Sequence, residues 1–113
     1  MRALVFALVL LGGAAQAAYP EKPIRFVIPS AAGGSPDVLM RILTAQLSQQ
    51  MGVPIVVENK PAGAYVLGTM DIVKSPPDGY TLGYGNIVSL AINRALLAKV
   101  PYDVEKDLTL VSN

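Results

Sequence analysis

The chain of 113 residues contains neither cysteine nor histidine, which excludes disulfides, thiol chemistry, imidazole catalysis and the usual zinc ligands. Its formal net charge of +1 argues against nucleic acid or an anionic membrane as the main partner, so we expect a small ligand. Apolar residues make up 52% of the chain, enough for one hydrophobic core at this length. No cofactor, metal ion or catalytic residue is predicted.

The first 17 residues have the three regions of a secretory signal peptide. Met1-Arg2 supplies the charge, Ala3 to Leu11 is apolar but too short to span a membrane, and Ala15-Gln16-Ala17 is a small-residue cleavage site. We predict a periplasmic protein in which residues 1–17 are removed and residues 18–113 form an incomplete N-terminal α/β ligand-binding domain. The lack of cysteine is compatible with that compartment.

A buried strand followed by a small-residue turn begins the predicted domain. Ile24 to Ile28 is a run of β-branched and aromatic residues typical of a parallel sheet. In the turn that follows, Gly33 and Gly34 allow backbone angles and close approaches that a Cβ would forbid. We expect free N–H groups of this turn to point at a ligand.

A long helix is predicted next. Ser35 is the expected N-cap, Pro36 suits the first helical position, and Asp37 lies in the first turn, where a negative charge suits the helix dipole. Gly52 is the expected residue just past the helix end. One face is apolar and the opposite face is marked by Arg41, Gln46, Gln49 and Gln50; the apolar face comprises Val38, Leu39, Ile42, Leu43 and Leu47.

The rest of the chain repeats this alternation. Ile55 to Val57 predicts a second strand, Tyr65 to Lys74 a second helix, and Tyr80 to Tyr84 a third strand. A third helix is predicted over Ile87 to Ala98 and a fourth strand over Leu108 to Val111. This order predicts an α/β fold: a parallel sheet with helices on both faces and right-handed crossovers.

Ligands of such sheets bind at the carboxyl ends of the strands. Three loops are predicted there: Ser30 to Ser35, Asn59 to Tyr65, and Gly85 to Ser89. From the residues alone, the glycine turn could equally be a tight turn without a ligand. The glycines are not followed by the Lys of a phosphate-binding loop, and the spaced glycines of a dinucleotide site are absent.

Five short motifs carry a resemblance to a known family. They are Tyr19-Pro20-x-Lys22-Pro23-Ile24-Arg25, Pro29-x-Ala31-x-Gly33-Gly34-Ser35-x-Asp37, Val56-Val57-Glu58-Asn59-Lys60-Pro61, Pro77-Asp78-Gly79-Tyr80-Thr81-Leu82 and Tyr102-Asp103-x-x-Lys106-Asp107. In this order and spacing they resemble the front of the substrate-binding proteins of tripartite tricarboxylate transporters, also called the Bordetella uptake gene or TctC-like family.

The resemblance implies the front part of domain one of a two-domain periplasmic-binding-protein-like (type II) fold. Such a receptor captures a small organic carboxylate and delivers it to the membrane permease subunits of the transporter. Family members are about three times as long, so we expect a truncated receptor that lacks the opposing domain. Self-association through uncovered apolar surface is expected as well.

The resemblance also implies the binding residues. The first loop would line the cleft with Ser30, Ala31, Ala32, Gly33, Gly34 and Ser35, while Asp37 sets the helix start and holds a bridging water. The family's glycine-rich second loop reads Pro61-Ala62-Gly63-Ala64-Tyr65 here, so Gly63, Ala64 and Tyr65 would border the ligand, with Tyr65 reshaping the pocket. Asn86 would donate an amide hydrogen bond from the third loop.

Two alternatives remain open. The chain could be a non-binding remnant of a receptor, such as a pseudogene product, in which half a cleft captures nothing. It could also be a small secreted hydrolase with Ser30 or Ser35 as nucleophile and Asp37 as its partner, in which case Lys60 would have to serve as the base because histidine is absent. Helix capping explains Ser35 and Asp37 more simply.

Overall fold

The computed structural model describes residues 18–113, so the predicted signal peptide over residues 1–17 lies outside the described part. Within that part no helix is long and apolar enough to cross a membrane. The strands are β1 (Ile24–Ile28), β2 (Ile55–Asn59) and β3 (Thr81–Gly83). The helices are α1 (Ser35–Met51), α2 (Val66–Val73), α3 (Asn93–Leu96) and α4 (Val104–Asp107), with a π-helical turn over Val88–Ile92 that leads into α3.

The strands form one parallel sheet in the order β2-β1-β3. Ile24 lies opposite Ile55 on β2, and Phe26 lies opposite Leu82 on β3. The central strand supplies the core, since Ile24, Val27 and Ile28 are completely buried. The predicted parallel sheet is confirmed, because β1 pairs in parallel with both of its neighbours.

Helices α1 and α2 lie on opposite faces of this sheet. Asn59 at the end of β2 reaches Asp37 of α1. The preceding residue, Glu58, points to the other side and meets the Arg25 guanidinium, which also binds Asp71 of α2. The predicted arrangement of helices on both faces is therefore confirmed.

Helix α1 is confirmed, and most of its predicted apolar face is exposed. Val38, Leu39, Ile42 and Leu43 are 44–61% exposed, whereas Asp37 and Thr44 are each only 4% exposed. The buried Asp37 carboxylate bonds to groups in the loop and in β2, and this fixes the rotation of the helix. The side of α1 that faces the sheet therefore includes Asp37 and Thr44, and most of the predicted apolar stripe faces away from it.

The predicted N-cap is wrong. Helix α1 begins at Ser35 itself, and Gly34 is the capping residue, with no side-chain hydrogen bond at that position. The Asp37 carboxylate accepts the N–H of Gly33, in the loop before the helix. At the other end Gly52 adopts the left-handed conformation, as the sequence predicts.

The chain after β3 departs from the predicted pattern. The predicted third helix forms as one continuous helical stretch that ends at Leu96, but its first part, over Val88–Ile92, is π-helical. The predicted fourth strand is wrong, because residues 108–113 form no regular secondary structure and bond to no strand of the described sheet. The helix α4 forms in the predicted connector, where the Asp103 carboxylate accepts the N–H groups of Glu105 and Lys106.

Candidate ligand-binding site

The carboxyl ends of the three strands lie along one edge of the sheet, which we call the carboxyl edge. It carries the loops Ser30 to Ser35, Asn59 to Tyr65 and Gly85 to Ser89. The strand order reverses at β1, because α1 leads the chain to β2 on one side and β3 lies on the other. In doubly wound sheets, ligands bind outside the carboxyl ends at this reversal. The loops after β1 and β3 therefore border the expected ligand position.

The first loop uses two of its own N–H groups internally. Gly33 has φ +82° and donates its N–H to Asp37 Oδ2 at 2.8 Å, and Gly34 N–H faces the Ala31 carbonyl oxygen at 3.4 Å. The N–H groups of Ala31 and Ala32 have no partner among the described residues, and both alanines are exposed. The donors that remain for a ligand are thus those of the alanines rather than those of the glycines.

The Asp37 carboxylate joins three elements. Besides the Gly33 N–H, it accepts hydrogen bonds at Oδ1 from Arg41 Nε at 3.0 Å and from Asn59 Nδ2 at 2.9 Å. The Gly33 N–H above all, then the Arg41 and Asn59 hydrogen bonds, lowers the pKa of Asp37 to about 2. The carboxylate therefore stays ionised, and both of its oxygens are used within the chain.

Ser30 differs from the other first-loop residues in its surroundings. Its hydroxyl Oγ is buried and has no hydrogen-bond partner among the described residues. Its carbonyl oxygen accepts Asn59 Nδ2 at 3.2 Å. A buried hydroxyl without a partner costs about 1–3 kcal/mol, so the Ser30 Oγ is an unsatisfied polar group at the end of β1.

The second loop has an unusual backbone. Gly63, Ala64 and Tyr65 all have positive φ, at 55°, 50° and 71°. Only the first is glycine, and the left-handed conformation costs other residues about 1–2 kcal/mol each. Two side chains hold the loop in place: Asn93 Nδ2 donates to the Ala64 carbonyl oxygen at 2.7 Å, and Thr69 Oγ1 donates to that of Tyr65 at 2.8 Å.

Helix α2, which follows the second loop, packs closely against the end of β1. A Cβ atom on the buried Gly68 would lie 2.6 Å from the Cβ of Pro29, the residue just before Ser30. This close approach explains why a glycine occupies that turn of α2. The end of β1 is therefore held from both faces, by Asn59 on one side and by α2 on the other.

In the third loop, Asn86 caps the π-helical turn. Its Oδ1 accepts the Ser89 N–H at 3.0 Å, and the Ser89 hydroxyl accepts the Asn86 N–H at 3.0 Å. Ser89 is itself buried, and its carbonyl oxygen accepts the Tyr102 hydroxyl at 2.6 Å. The carboxamide NH2 of Asn86 is the group that remains for the amide hydrogen bond predicted from the sequence.

A cavity of about 220 Å³ lies beyond the third loop, next to α3 and α4. Its lining includes Leu90, Leu97, Val100, Tyr102 and Val104. The Tyr102 hydroxyl is already bonded to Ser89. Arg94 and Asp103 border this cavity as well, and Arg94 Nη1 lies 3.6 Å from Glu105 Oε1. Because this guanidinium already faces a carboxylate and none of the first-loop donors reaches the cavity, the cavity is a poorer match for an anion than the carboxyl edge is.

Sequence reasoning missed four polar side chains around this edge: Arg41, Asn59, Thr69 and Asn93. Asn59 had a readable signal, because a carboxamide that directly follows the apolar run Ile55 to Val57 stands at the end of a buried strand. Arg41 lies on the predicted polar face of the helix, and half of its side chain is exposed. Its guanidinium nevertheless bonds to both Asp37 and Asn59. Asn93 lies within the third predicted helix and is only 3% exposed.

The family model "Tripartite tricarboxylate transporter family receptor" matches residues 39–113. Among curated proteins, the chain is 40% identical over 95 residues to Protein BugT of Bordetella pertussis. That match covers 83% of this chain and 29% of BugT. The chain therefore spans less than a third of the length of this relative.

Two solved structures share the fold. One, described as a periplasmic transporter, has a TM-score of 0.74 and 41% identity, and the match covers 76% of this chain and 29% of that one. The other is MatC from Rhodopseudomonas palustris with bound malate, with a TM-score of 0.75 and 31% identity, covering 79% of this chain and 30% of that one. Both matches include most of the described sheet and helices.

Proposed function

The chain belongs to the tripartite tricarboxylate transporter receptor family, and we propose that its carboxyl edge binds the carboxylate group of a small organic acid. The family is one of solute receptors, and it includes periplasmic proteins. The proposal extends to the delivery of the ligand to the membrane permease subunits of such a transporter. It also includes export to the periplasm through the signal peptide over residues 1–17.

The single observation that carries the proposal is the buried, unpartnered Ser30 hydroxyl at the end of β1. It lies beside the Ala31 and Ala32 N–H groups and close to the N-terminus of α1. A carboxylate only accepts hydrogen bonds, so it matches a set of O–H and N–H donors. A negative charge near a helix N-terminus is further favoured by about 0.3–1 kcal/mol.

Charge balance supports this ligand class as well. The Asp37 carboxylate next to the site would repel an anion, but the Arg41 guanidinium and two further N–H groups neutralise it. The ligand-facing groups that we propose are Ser30, Ala31, Ala32 and Ser35 in the first loop, Gly63, Ala64 and Tyr65 in the second, and Asn86 in the third. Gly33, Gly34 and Asp37 would shape the first loop without touching the ligand.

Hydrolase chemistry has less support than binding. Lys60 would have to be the base, but its Nζ lies 3.5 Å from Asp71 Oδ2, in the ion cluster on the α2 face of the sheet. The Lys60 ammonium group is therefore an ion-pair partner of that cluster rather than a free base beside Ser30 or Ser35. We propose that the chain acts as a receptor and not as an enzyme.

The proposal is tested by isothermal titration of the chain with L-malate and succinate, alongside thermal melting with and without each acid. We expect ligand-dependent stabilisation of the wild-type chain. Ser30→Ala should weaken binding about tenfold, because one hydrogen bond to a charged group is lost, and it should leave the unliganded melting temperature unchanged or higher.

Two results would count against the proposal. A wild-type chain that is not stabilised by any tested di- or tricarboxylate would favour the non-binding remnant. A Ser30→Ala variant that binds as tightly as the wild type would move the site away from the end of β1.

A further inference from the structure

The side chain of Asn59 continues the backbone ladder between β1 and β2. The last backbone bond of this ladder runs from Lys60 N–H to the Ile28 carbonyl oxygen at 2.8 Å. Two residues further along β1, the carbonyl oxygen of Ser30 accepts a bond from Asn59 Nδ2 at 3.2 Å. The carboxamide thus takes the place of a further β2 backbone N–H.

This bond determines where the next N–H of the loop points. The Ser30–Ala31 peptide is trans and planar, so its N–H points opposite to its carbonyl. The Ser30 carbonyl is directed at Asn59, on the β2 side of β1. The Ala31 N–H therefore points to the other side, where β3 lies and where the strand order reverses.

The carboxamide of Asn59 is itself fixed in direction. Its Nδ2 also donates to Asp37 Oδ1 at 2.9 Å, and its Oδ1 accepts Arg41 Nη2 at 3.0 Å. A flipped amide would set its oxygen against the Asp37 carboxylate and its NH2 against the guanidinium. The Asp37–Arg41 pair therefore leaves the Asn59 carboxamide only one favourable orientation.

We infer that Asn59 is a positioning residue for ligand binding: it turns the Ser30–Ala31 peptide so that the Ala31 N–H faces the carboxylate. The inference rests on the proposed function and adds a residue that touches no ligand. The affinity of the first loop for the ligand would then depend on a side chain of β2. Loss of Asn59 should therefore reduce affinity by more than its effect on stability explains.

The test compares two variants of the full chain. Asn59→Asp keeps the size of the side chain but replaces the donor with an oxygen that repels the Ser30 carbonyl and Asp37. Ser48→Ala is the matched control, because the Ser48 hydroxyl also ties α1 to the segment before β2, through the Val53 carbonyl oxygen at 2.7 Å, at the other end of the helix. Asn59→Ala serves if the aspartate variant does not fold.

Each variant is titrated calorimetrically with L-malate, its melting temperature is measured, and its Ala31 amide resonance is recorded by NMR. We expect the Asn59 variant to bind about tenfold more weakly and its Ala31 resonance to move. Ser48→Ala should lose stability and keep both the wild-type affinity and the wild-type Ala31 resonance.

The two proposals fail in different ways. If the wild-type chain binds malate and the Asn59 variant binds it equally well, Asn59 does not position the site. An equal loss of affinity in Ser48→Ala would reduce the role of Asn59 to general stability, which also overturns the inference. If the wild type binds no tested acid, the proposed function fails, and an Ala31 resonance unchanged in the Asn59 variant would in addition refute the peptide orientation.

Discussion

Two charged networks flank β1 on opposite faces of the sheet, and they hold different things together. On the α1 face, the buried Asp37 carboxylate binds a loop N–H, a carboxamide and a guanidinium. On the α2 face, the Arg25 guanidinium is shared by the carboxylates of Glu58 and Asp71, which are 37% and 31% exposed. The first network shapes the backbone of a loop, whereas the second ties a helix to the sheet.

This difference indicates which of the two charged networks affects ligand binding. A network whose partners include backbone groups at the carboxyl edge can orient donors for a ligand. A network of side chains that joins a helix to the sheet away from this edge is expected to add stability without orienting a ligand donor. Changes in the Asp37 network should therefore alter both affinity and stability, and changes in the Arg25 network should alter stability alone.

The largest effect is expected from Asp37→Ala. The change leaves the Gly33 N–H, the Asn59 carboxamide and the Arg41 guanidinium without their shared acceptor, so the first loop should lose its conformation. We expect the melting temperature to fall by more than about 8 °C and L-malate binding to disappear. Differential scanning calorimetry and titration measure the two effects; retained binding would contradict the role given to this network.

Acid should weaken the same network gradually. The pKa of Asp37 in the folded chain is about 2, below the ordinary value of 3.8, chiefly because of the Gly33 N–H. Its contribution to stability is therefore present above pH 4 and is lost as the pH falls towards 2. Melting curves of wild type and Asp37→Asn should differ at pH 6 and converge near pH 2. A gap between them that stays constant across this range would contradict this.

A smaller effect is expected from Arg25→Met on the opposite face. The variant leaves Glu58 and Asp71 facing each other, with Lys60 as the nearest cation. Because these groups are partly exposed, we expect a loss of about 1 kcal/mol that becomes smaller at high salt. Malate affinity should not change, and a change in affinity would erase the distinction between the two faces.

The smallest effect is a gain in stability from Ala64→Gly. Ala64 has φ 50°, which glycine adopts without the penalty that a Cβ brings. We expect a gain of about 0.5–1 kcal/mol in the free energy of unfolding, measured by urea titration. Ala62→Gly is the control, because that residue does not have a positive φ and should lose a few tenths of a kcal/mol. Equal losses in both variants would count against strain at Ala64.

Much of the fold follows directly from local pattern. The run Ile24 to Ile28 has to be a buried strand because no residue but Arg25 is charged, and Gly52 has to end α1 because a left-handed residue is needed there. Alternating strands and helices then lead to a parallel sheet. These predictions succeeded because each depends on residues that are neighbours in the chain.

The failures depend on contacts between distant residues. Helix α1 buries Asp37 against the sheet because Asp37 bonds to Asn59, which only the register of β2 on β1 brings close. Hydrophobic periodicity does not reveal this contact. The fourth strand failed for a similar reason: Leu108 to Val111 has a strand composition, but composition does not supply a neighbouring edge.

The site was predicted in part. The first loop was correctly expected to follow β1, but which of its N–H groups are free depends on the side chains of Asp37 and Asn59. The replacement of glycines in the second loop was visible in the sequence. The three consecutive positive φ values at Gly63, Ala64 and Tyr65 were not, because the left-handed backbone is imposed by bonds from Thr69 and Asn93.

The central claim is that the end of β1 binds a carboxylate, and a ¹⁵N-resolved NMR titration of the chain with L-malate tests it most directly. We expect the amide resonances of Ala31 and Ala32 to shift progressively to saturation, while those around Arg25 on the α2 face stay in place. Titration with the uncharged diamide of malic acid should leave all of them unmoved. Shifts confined to the cavity lined by Leu90 and Tyr102, or no shifts in the first loop at saturating malate, would contradict the claim.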